Sequence, residues 1–128
     1  MTTVADIVQG QELAQLPSDS TIREAAKYMV ERGVGSVLVM EEGALRGIFT
    51  ERDALRIFVA THRNTDTTRL ADIMTEAPQI LPPEATARDA AARMAAGNFR
   101  HMPVVDGDGA ILGVVSQRDL IATEAGPG

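Results

Sequence analysis

The chain carries the heptapeptide Gly-Ile-Phe-Thr-Glu-Arg-Asp at residues 47–53 and repeats it, with substitutions, as Gly-Val-Val-Ser-Gln-Arg-Asp at residues 113–119. Both versions contain a glycine, two apolar residues, a hydroxyl and, three positions after the hydroxyl, a carboxylate. The period is too long for a helical solenoid and indicates two copies of one small supersecondary unit. The duplication therefore predicts the architecture, and its polar residues are the first candidates for a site.

The repeat extends beyond the heptapeptide. Residues 4–8, Val-Ala-Asp-Ile-Val, return as Leu-Ala-Asp-Ile-Met at residues 70–74. Residues 61–69 are polar and show no apolar periodicity, which is typical of a surface linker. We therefore predict a first repeat at 4–60, a linker at 61–69 and a second repeat at 70–123.

Local signals predict the same elements in each copy. Thr21 and Thr86 each stand three positions before a carboxylate, the pattern of a helix N-terminus, and Gly33 and Gly97 are predicted to end those helices. Two apolar runs then flank an acidic, glycine-rich turn, which is typical of a β-hairpin. The predicted strands are residues 12–16, 36–40, 45–49, 78–81, 101–105 and 111–115. A second helix follows the hydroxyl of each heptapeptide, so the fold class is α/β.

The composition excludes several classes of protein. At 128 residues and 45% hydrophobic content, the chain is long enough for one domain with a core. It has no cysteine, which excludes disulfides and thiol catalysis, and His62 and His101 are too few for a metal centre. A net charge of −6 argues against binding a nucleic-acid backbone. Apolar runs fall short of the roughly 18 residues of a membrane span, so we expect a cytoplasmic protein with no membrane partner.

The hydroxyl and the carboxylate of each heptapeptide have two interpretations. Thr50 with Asp53, and Ser116 with Asp119, match an ordinary capping box at a helix N-terminus. A glycine at the start of a strand, such as the first residue of each heptapeptide, often marks the close approach of another backbone or of a ligand. The junction of a strand end with a helix N-terminus commonly holds phosphate, and a carboxylate can accept both hydroxyls of a ribose. From the residues alone, both interpretations stay open.

The heptapeptides resemble the nucleotide signature of cystathionine-β-synthase (CBS) domains, Gly-apolar-apolar-Ser/Thr-x-x-Asp. The resemblance covers about residues 4–123 and is to a stand-alone tandem pair, or Bateman module. It implies two β-α-β-β-α repeats that pack through their sheets with pseudo-two-fold symmetry and carry helices outside. Because one such copy cannot close a core by itself, we expect two copies to do so together.

The resemblance also implies a ligand. In similar modules the aspartate holds the ribose diol and the hydroxyl residue lies near the phosphates, so Asp53 and Asp119 become ribose ligands beside Thr50 and Ser116. Adenine would lie in the cleft between the copies, against strand backbone around residues 80–82 and at Met102 and Pro103, or against that around residues 16–17 and 37–38.

Cationic residues near the motifs are the remaining candidates. Arg100 and His101 enter a predicted buried strand, where a charge needs a partner. That partner is either a carboxylate at the rim or, by the resemblance, a phosphate. The first copy has residues 35–36, Gly-Ser, at that place, so we predict either asymmetric phosphate recognition or convergence of both phosphates on Arg100 and His101. Arg52 and Arg118 precede the motif aspartates and either reach phosphate or are solvated.

The predicted function is a regulatory sensor that binds AMP, ADP, ATP or a related adenosyl ligand and signals cell energy status to a partner in trans. Magnesium is expected only with ATP, and no other cofactor is expected. Because the sequence contains no local catalytic signature, we do not expect an enzyme. The resemblance also implies a homodimer, since such modules commonly pair with a second copy, and the apolar residues of the second helix in each copy agree with this. The alternative, from a different class, is a protein-interaction module with no nucleotide ligand.

Overall fold

The structure, a computed structural model, describes residues 1–125 of the chain. Residues 126–128, which the sequence predicts to be frayed, lie outside the described residues. The elements in chain order are α1 (Val4–Val8), β1 (Gln15–Pro17), α2 (Ile22–Arg32), β2 (Ser36–Glu41), β3 (Ala44–Thr50), α3 (Glu51–Ala60), α4 (Leu70–Ile73), β4 (Thr75–Glu76), α5 (Ala87–Gly97), β5 (His101–Val105), β6 (Ile111–Ser116) and α6 (Gln117–Ala125). The order agrees with an α/β fold built from two repeats.

Two compact units form, and their boundaries differ from those of the sequence repeats. Among the described residues, one unit comprises residues 14–78, and the other joins residues 1–13 to residues 79–125. Helix α1, which begins the first repeat, therefore belongs to the unit of the second repeat. Helix α4, which begins the second repeat, belongs to the unit of the first.

The unit of residues 14–78 is built on a four-stranded sheet in the order β1-β2-β3-β4. Strand β1 is parallel to β2, and the other neighbours are antiparallel. The core side chains come from helices α2, α3 and α4 and from one face of the sheet. They are Ile22, Ala25, Met29, Val37, Val39, Phe49, Ile57, Leu70 and Met74.

The second unit is built on the antiparallel hairpin β5–β6, which Leu81 extends through a parallel bridge to Val104. Its core is a separate cluster from the one above. The members are Val4, Val8, Leu81, Ala85, Ala90, Met94, Met102, Val104, Val115 and Leu120. Each core thus includes the short helix that begins the other repeat, since Val4 and Leu70 are both fully buried.

The predicted helix ends are right for α2 and wrong by one residue for α5. Helix α2 ends at Arg32, and the cap residue Gly33 adopts the left-handed conformation with φ 66°. Helix α5 continues through Gly97, and Asn98 takes the left-handed position with φ 56°. The reason is packing: a Cβ on Gly97 would lie 1.9 Å from the ring of Phe99. Gly97 therefore makes room for an aromatic side chain, and asparagine is among the few residues that tolerate the cap conformation.

Both predicted hairpins are present, whereas the extended segments before them are shorter than expected. Strand β1 has three residues, and the corresponding part of the second repeat is reduced to the bridge at Leu81. The predicted linker 61–69 is bound to the first unit, since Thr68 is buried and its carbonyl accepts from the N–H of Ile22 at 3.0 Å. An ion pair between Arg23 and Asp66 holds the same segment.

Candidate functional site

The first heptapeptide joins β3 to α3 and forms a complete capping box. The Thr50 N–H donates to Oδ2 of Asp53 at 3.0 Å, and the Asp53 N–H donates to Oγ1 of Thr50 at 3.2 Å. Both residues are half-buried. The hydroxyl and the carboxylate thus satisfy backbone donors at the helix N-terminus, where a negative charge is also favoured by the helix dipole.

The second heptapeptide joins β6 to α6 with the same geometry. The Ser116 N–H donates to Oδ2 of Asp119 at 2.8 Å, and the Asp119 N–H donates to Oγ of Ser116 at 3.1 Å. Capping is therefore a real role of both motifs. It does not by itself exclude a ligand: a carboxylate has about four lone-pair sites, and each box uses one of them.

The glycine at the start of each motif is explained by packing. A Cβ on Gly47 would lie 2.7 Å from Sδ of Met74 and 2.7 Å from the carbonyl oxygen of Thr75. A Cβ on Gly113 would lie 2.6 Å from Cβ of Val8. Gly47 is approached by the segment that follows α4, and Gly113 is approached by the last residue of α1. Each of these helices belongs in sequence to the other repeat. Of the two explanations that the sequence allowed, close approach of another chain segment is the one observed.

Two capping boxes without a strand lead-in provide an internal comparison. Thr3 with Asp6, and Thr86 with Asp89, form the same reciprocal bonds. The hydrogen bond from the Thr86 N–H, followed by that from its hydroxyl, lowers the pKa of Asp89 from its usual 3.8, and Thr3 does the same for the pKa of Asp6. These two carboxylates are exposed, whereas Asp53 and Asp119 are half-buried. Burial, not capping geometry, distinguishes the candidate site.

The second repeat places its two cationic candidates beside its motif. The Gln117 N–H donates to the carbonyl of Arg100 at 2.8 Å, and His101 pairs with Ser116 across β5 and β6. Arg100 is exposed and makes no ion pair with the described residues, so the rim carboxylate that the sequence allowed is not observed there.

The first repeat has the same backbone connections without the cations. The Glu51 N–H donates to the carbonyl of Gly35 at 3.0 Å, and Ser36 pairs with Thr50. The cations Arg100 and His101 therefore occupy the same structural positions in the second unit that Gly35 and Ser36 occupy in the first.

The remaining candidate residues differ in accessibility. Arg118 is exposed on the first turn of α6, and Arg52 is half-buried on the first turn of α3. Met102 and Pro103 are fully buried, and the Met102 side chain packs in the core of its unit. A ligand near this strand would therefore meet the Met102 backbone and not its side chain.

A cavity of about 330 Å³ opens between α5 and α6. Its lining combines apolar and polar side chains: Ala91, Met94, Ala95, Asn98, Phe99, Arg100, Gln117, Leu120 and Ile121. The sequence had no signal for this cavity, because its walls come from two helices whose spacing is set by packing. Arg100 and Gln117 are among the residues that line this cavity, and Gln117 lies two positions before Asp119 in the chain.

Apolar side chains are exposed on the helices of the first repeat. Val30 of α2 and Leu55, Phe58 and Val59 of α3 are 82%, 63%, 79% and 73% exposed. We call these four residues the α2–α3 patch. Large apolar side chains exposed on two helices that contact each other are candidates for an interaction surface.

Two kinds of feature are absent from the part of the chain that the structure describes. No helix within residues 1–125 is long and apolar enough to cross a membrane. Over the same residues, no three histidine, cysteine, aspartate or glutamate side chains gather in a way that could hold a metal ion.

Comparison with known proteins identifies the family. The CBS domain family matches residues 4–60 and 70–126, which together make up most of the chain. The protein belongs to the CBS domain family. The two matched segments correspond to the two repeats, and each contains one complete capping motif, so the resemblance drawn from the heptapeptides is confirmed.

Individual relatives agree with this assignment. The chain is 33% identical over 131 residues to the mitochondrial CBS domain-containing protein CBSX3 of Arabidopsis thaliana, covering 94% of this chain and 63% of that protein. A putative signal-transduction protein with CBS domains from Burkholderia ambifaria superposes with a TM-score of 0.91 at 32% identity, over 99% of this chain and 97% of that one. CBSX2 in complex with AMP superposes with a TM-score of 0.80 at 22% identity, over 98% and 97%, which shows the shared fold.

One further polar residue, Gln11, was missed by the sequence interpretation. Its side-chain amide bonds the backbone of Val114, 103 positions away. The equivalent position of the other repeat is Ala77, which makes its contact through the main chain. Because the residue is not repeated, the duplication that located the other candidates contained no signal for this one.

Proposed function

We propose that this CBS pair is a regulatory module that binds an adenine nucleotide, AMP, ADP or ATP or a related adenosyl ligand, without catalysing a reaction on it. Asp53 and Asp119 would accept the ribose hydroxyls, with Thr50 and Ser116 beside the phosphates. An ATP ligand would bring magnesium with it. The observation that carries the proposal is the position of Arg100 and His101 beside the capped Asp119 motif.

The chemistry of that position suits a nucleotide. The half-buried Asp119 carboxylate keeps lone pairs for a diol, and hydrogen bonds to a charged acceptor contribute about 1.5–3 kcal/mol each. Arg100, whose backbone adjoins the first residue of α6, is a cation within the same unit. A ribose with an attached phosphate requires this combination of an acceptor and a neighbouring cation. AMP bound to the CBSX2 fold supports the choice of an adenine nucleotide.

The test is calorimetry with AMP, ADP, ATP, NAD and S-adenosylmethionine on the wild type and on single alanine variants of Asp53 and Asp119. We expect Asp119→Ala to weaken binding by roughly tenfold to a hundredfold, because a charged hydrogen-bond acceptor is lost. Asp89→Ala is the matched control, since it removes a carboxylate from an equal capping box that carries no proposed ligand. Equal affinity in the Asp119 and Asp89 variants would show that the motif is only a cap.

A second function, that of an interaction module, is favoured by the α2–α3 patch. We propose that a second copy of the chain covers this patch, because similar tandem CBS modules commonly pair through their helices. Sedimentation of Phe58→Glu should show a lighter species than the wild type at equal concentration. Ile121→Glu, at the equivalent place of Leu55 in the second repeat, should change the mass less. A wild type that sediments as a monomer would contradict the dimer.

The target of the regulation is proposed to be a separate protein that recognises the liganded form. A ligand shifts a conformational equilibrium only by its difference in affinity for the two forms, so the target must also distinguish them. The proposed location is the cytoplasm. Mass spectrometry of small molecules retained by the natively purified protein would identify the ligand directly, and a retained compound other than an adenosyl ligand would contradict the proposal.

A further inference from the structure

The outer edge of β6 is closed by a side chain in place of a strand. Oε1 of Gln11 accepts from the N–H of Val114 at 2.7 Å, and Nε2 of Gln11 donates to the carbonyl of Val114 at 3.1 Å. A glutamine amide has the same donor and acceptor as a peptide group, so it reproduces both bonds that a neighbouring strand would make.

The first repeat closes the equivalent edge with backbone. There, Ile48 pairs with Thr75 of β4 and Gly47 pairs with Glu76. The Ala77 N–H adds a bond to the carbonyl of Arg46 at 3.1 Å. Opening this edge requires a strand to leave, whereas opening the edge of β6 requires one exposed side chain to rotate.

The segment that carries Gln11 lies directly on β6. Val8, three residues earlier, is 2% exposed and leaves no space for a Cβ on Gly113. The Gln11 N–H bonds the carbonyl of Val8 at 3.0 Å, which fixes the backbone from which the amide projects. The backbone of Gln11 is thus fixed against the core, and its exposed side chain reaches Val114 through the amide alone.

The position along β6 connects this contact to the candidate site. In an antiparallel pair, the N–H and C=O groups of alternate residues point to the same side of the strand. Val114 and Ser116 therefore present their groups to the same outer edge, where Gln11 binds the first and Asp119 accepts from the N–H of the second. Two side chains in succession close the edge that ends in the capping box.

We infer that Gln11 is a positioning residue: a latch whose amide holds β6 in place and thereby aligns the Ser116–Asp119 cap for its ligand. The latch itself is independent of any ligand. Its positioning role rests on the function proposed above, so the two parts are measured separately.

The latch is tested by hydrogen exchange of the ligand-free protein. In Gln11→Ala the amide of Val114 should exchange about tenfold faster than in the wild type, since its acceptor is lost. The amide of Ile48, closed by β4, should be unchanged. Gln9→Ala, an exposed glutamine two residues earlier, is the matched control and should leave both amides unchanged. Unchanged exchange of Val114 in Gln11→Ala, or equal acceleration of Ile48, would overturn the latch.

The positioning role is tested by AMP calorimetry on the same variants. Gln11→Ala should weaken AMP binding by about three- to tenfold, and Gln9→Ala should not. Thr86→Ala, which weakens a cap in the same unit away from β6, controls for lost stability and should leave the affinity unchanged. Equal affinities of Gln11→Ala and the wild type would overturn the positioning role. Absence of any heat in the wild type would overturn it together with the proposed function, while the exchange result would still decide the latch.

Discussion

The two repeats share a capping box and differ in what surrounds it. In the first repeat, backbone pairing with β4 closes the edge of β3, and Gly35 and Ser36 adjoin the box. In the second, the side chain of Gln11 closes the edge of β6, and Arg100 and His101 adjoin the box. The boxes agree because their bonds span three residues, so a short motif determines them. The surroundings depend on distant segments, which have diverged between the copies.

The largest expected effect comes from removing a side chain of an exchanged helix. Leu70 is fully buried in the core of the first unit although it begins the second repeat. We expect Leu70→Ala to lower the free energy of unfolding by about 2–5 kcal/mol, because it leaves a cavity. Urea denaturation gives this value, and hydrogen exchange should show that amides of β3 lose protection first.

The control for this prediction is Ile121→Ala, because Ile121 is 61% exposed and lies outside the α2–α3 patch. It should cost less than about 0.5 kcal/mol. If Leu70→Ala caused amides of β6 to lose protection before those of β3, α4 would stabilise its own repeat. That result would contradict the placement of α4 in the core of the first unit.

The next effect concerns the motif glycines. Gly47→Ala and Gly113→Ala should each cost about 1–3 kcal/mol, since the new methyl group would meet atoms closer than 3.0 Å. Gly107→Ala, where nothing lies within 4 Å of the new Cβ, should leave the melting temperature nearly unchanged. If the two motif variants were as stable as Gly107→Ala, the close approach would be wrong and the glycines would again be candidates for ligand contact.

A smaller effect is expected from the cation that distinguishes the second repeat. Arg100→Ala should weaken AMP binding by about tenfold, or about 1.4 kcal/mol, while the melting temperature stays unchanged, because the side chain is exposed. Arg88→Ala, an exposed arginine of the same unit, is the control. Calorimetry of both variants decides the matter: equal affinities would remove Arg100 from the site.

The smallest effect is the pH dependence of an ordinary cap. Since the hydrogen bond from the Thr86 N–H lowers the pKa of Asp89 from 3.8, ionised Asp89 stabilises the folded state. This contribution is complete above pH 3.8 and is lost as the pH falls through the lower folded-state pKa. Asp89→Asn should therefore lower the melting temperature at pH 6, and the difference from the wild type should vanish toward pH 2. A difference that stays constant over this range would contradict the assignment.

Much of the local structure followed from short patterns. The Thr21 and Thr86 caps, the left-handed Gly33 and both hairpins were predicted from residues that lie within a few positions of one another. The error at Gly97 depends on Phe99, whose side chain packs against the core of its unit and whose ring occupies the space where a Cβ on Gly97 would lie. The site residues Thr50, Asp53, Ser116 and Asp119 were found because they are duplicated, and their ligand stays a proposal.

The sequence alone determined the duplication, the family and the capping boxes, because each depends on residue types at short, repeated spacings. The tertiary structure alone decided that α1 and α4 are exchanged between the cores and that Gln11 reaches Val114. The physical reason is that the similar starting segments, residues 4–8 and 70–74, both carry buried apolar residues, so their sequences do not distinguish the two cores. Their placement depends on packing between residues far apart in the chain. Local sequence patterns do not predict such packing.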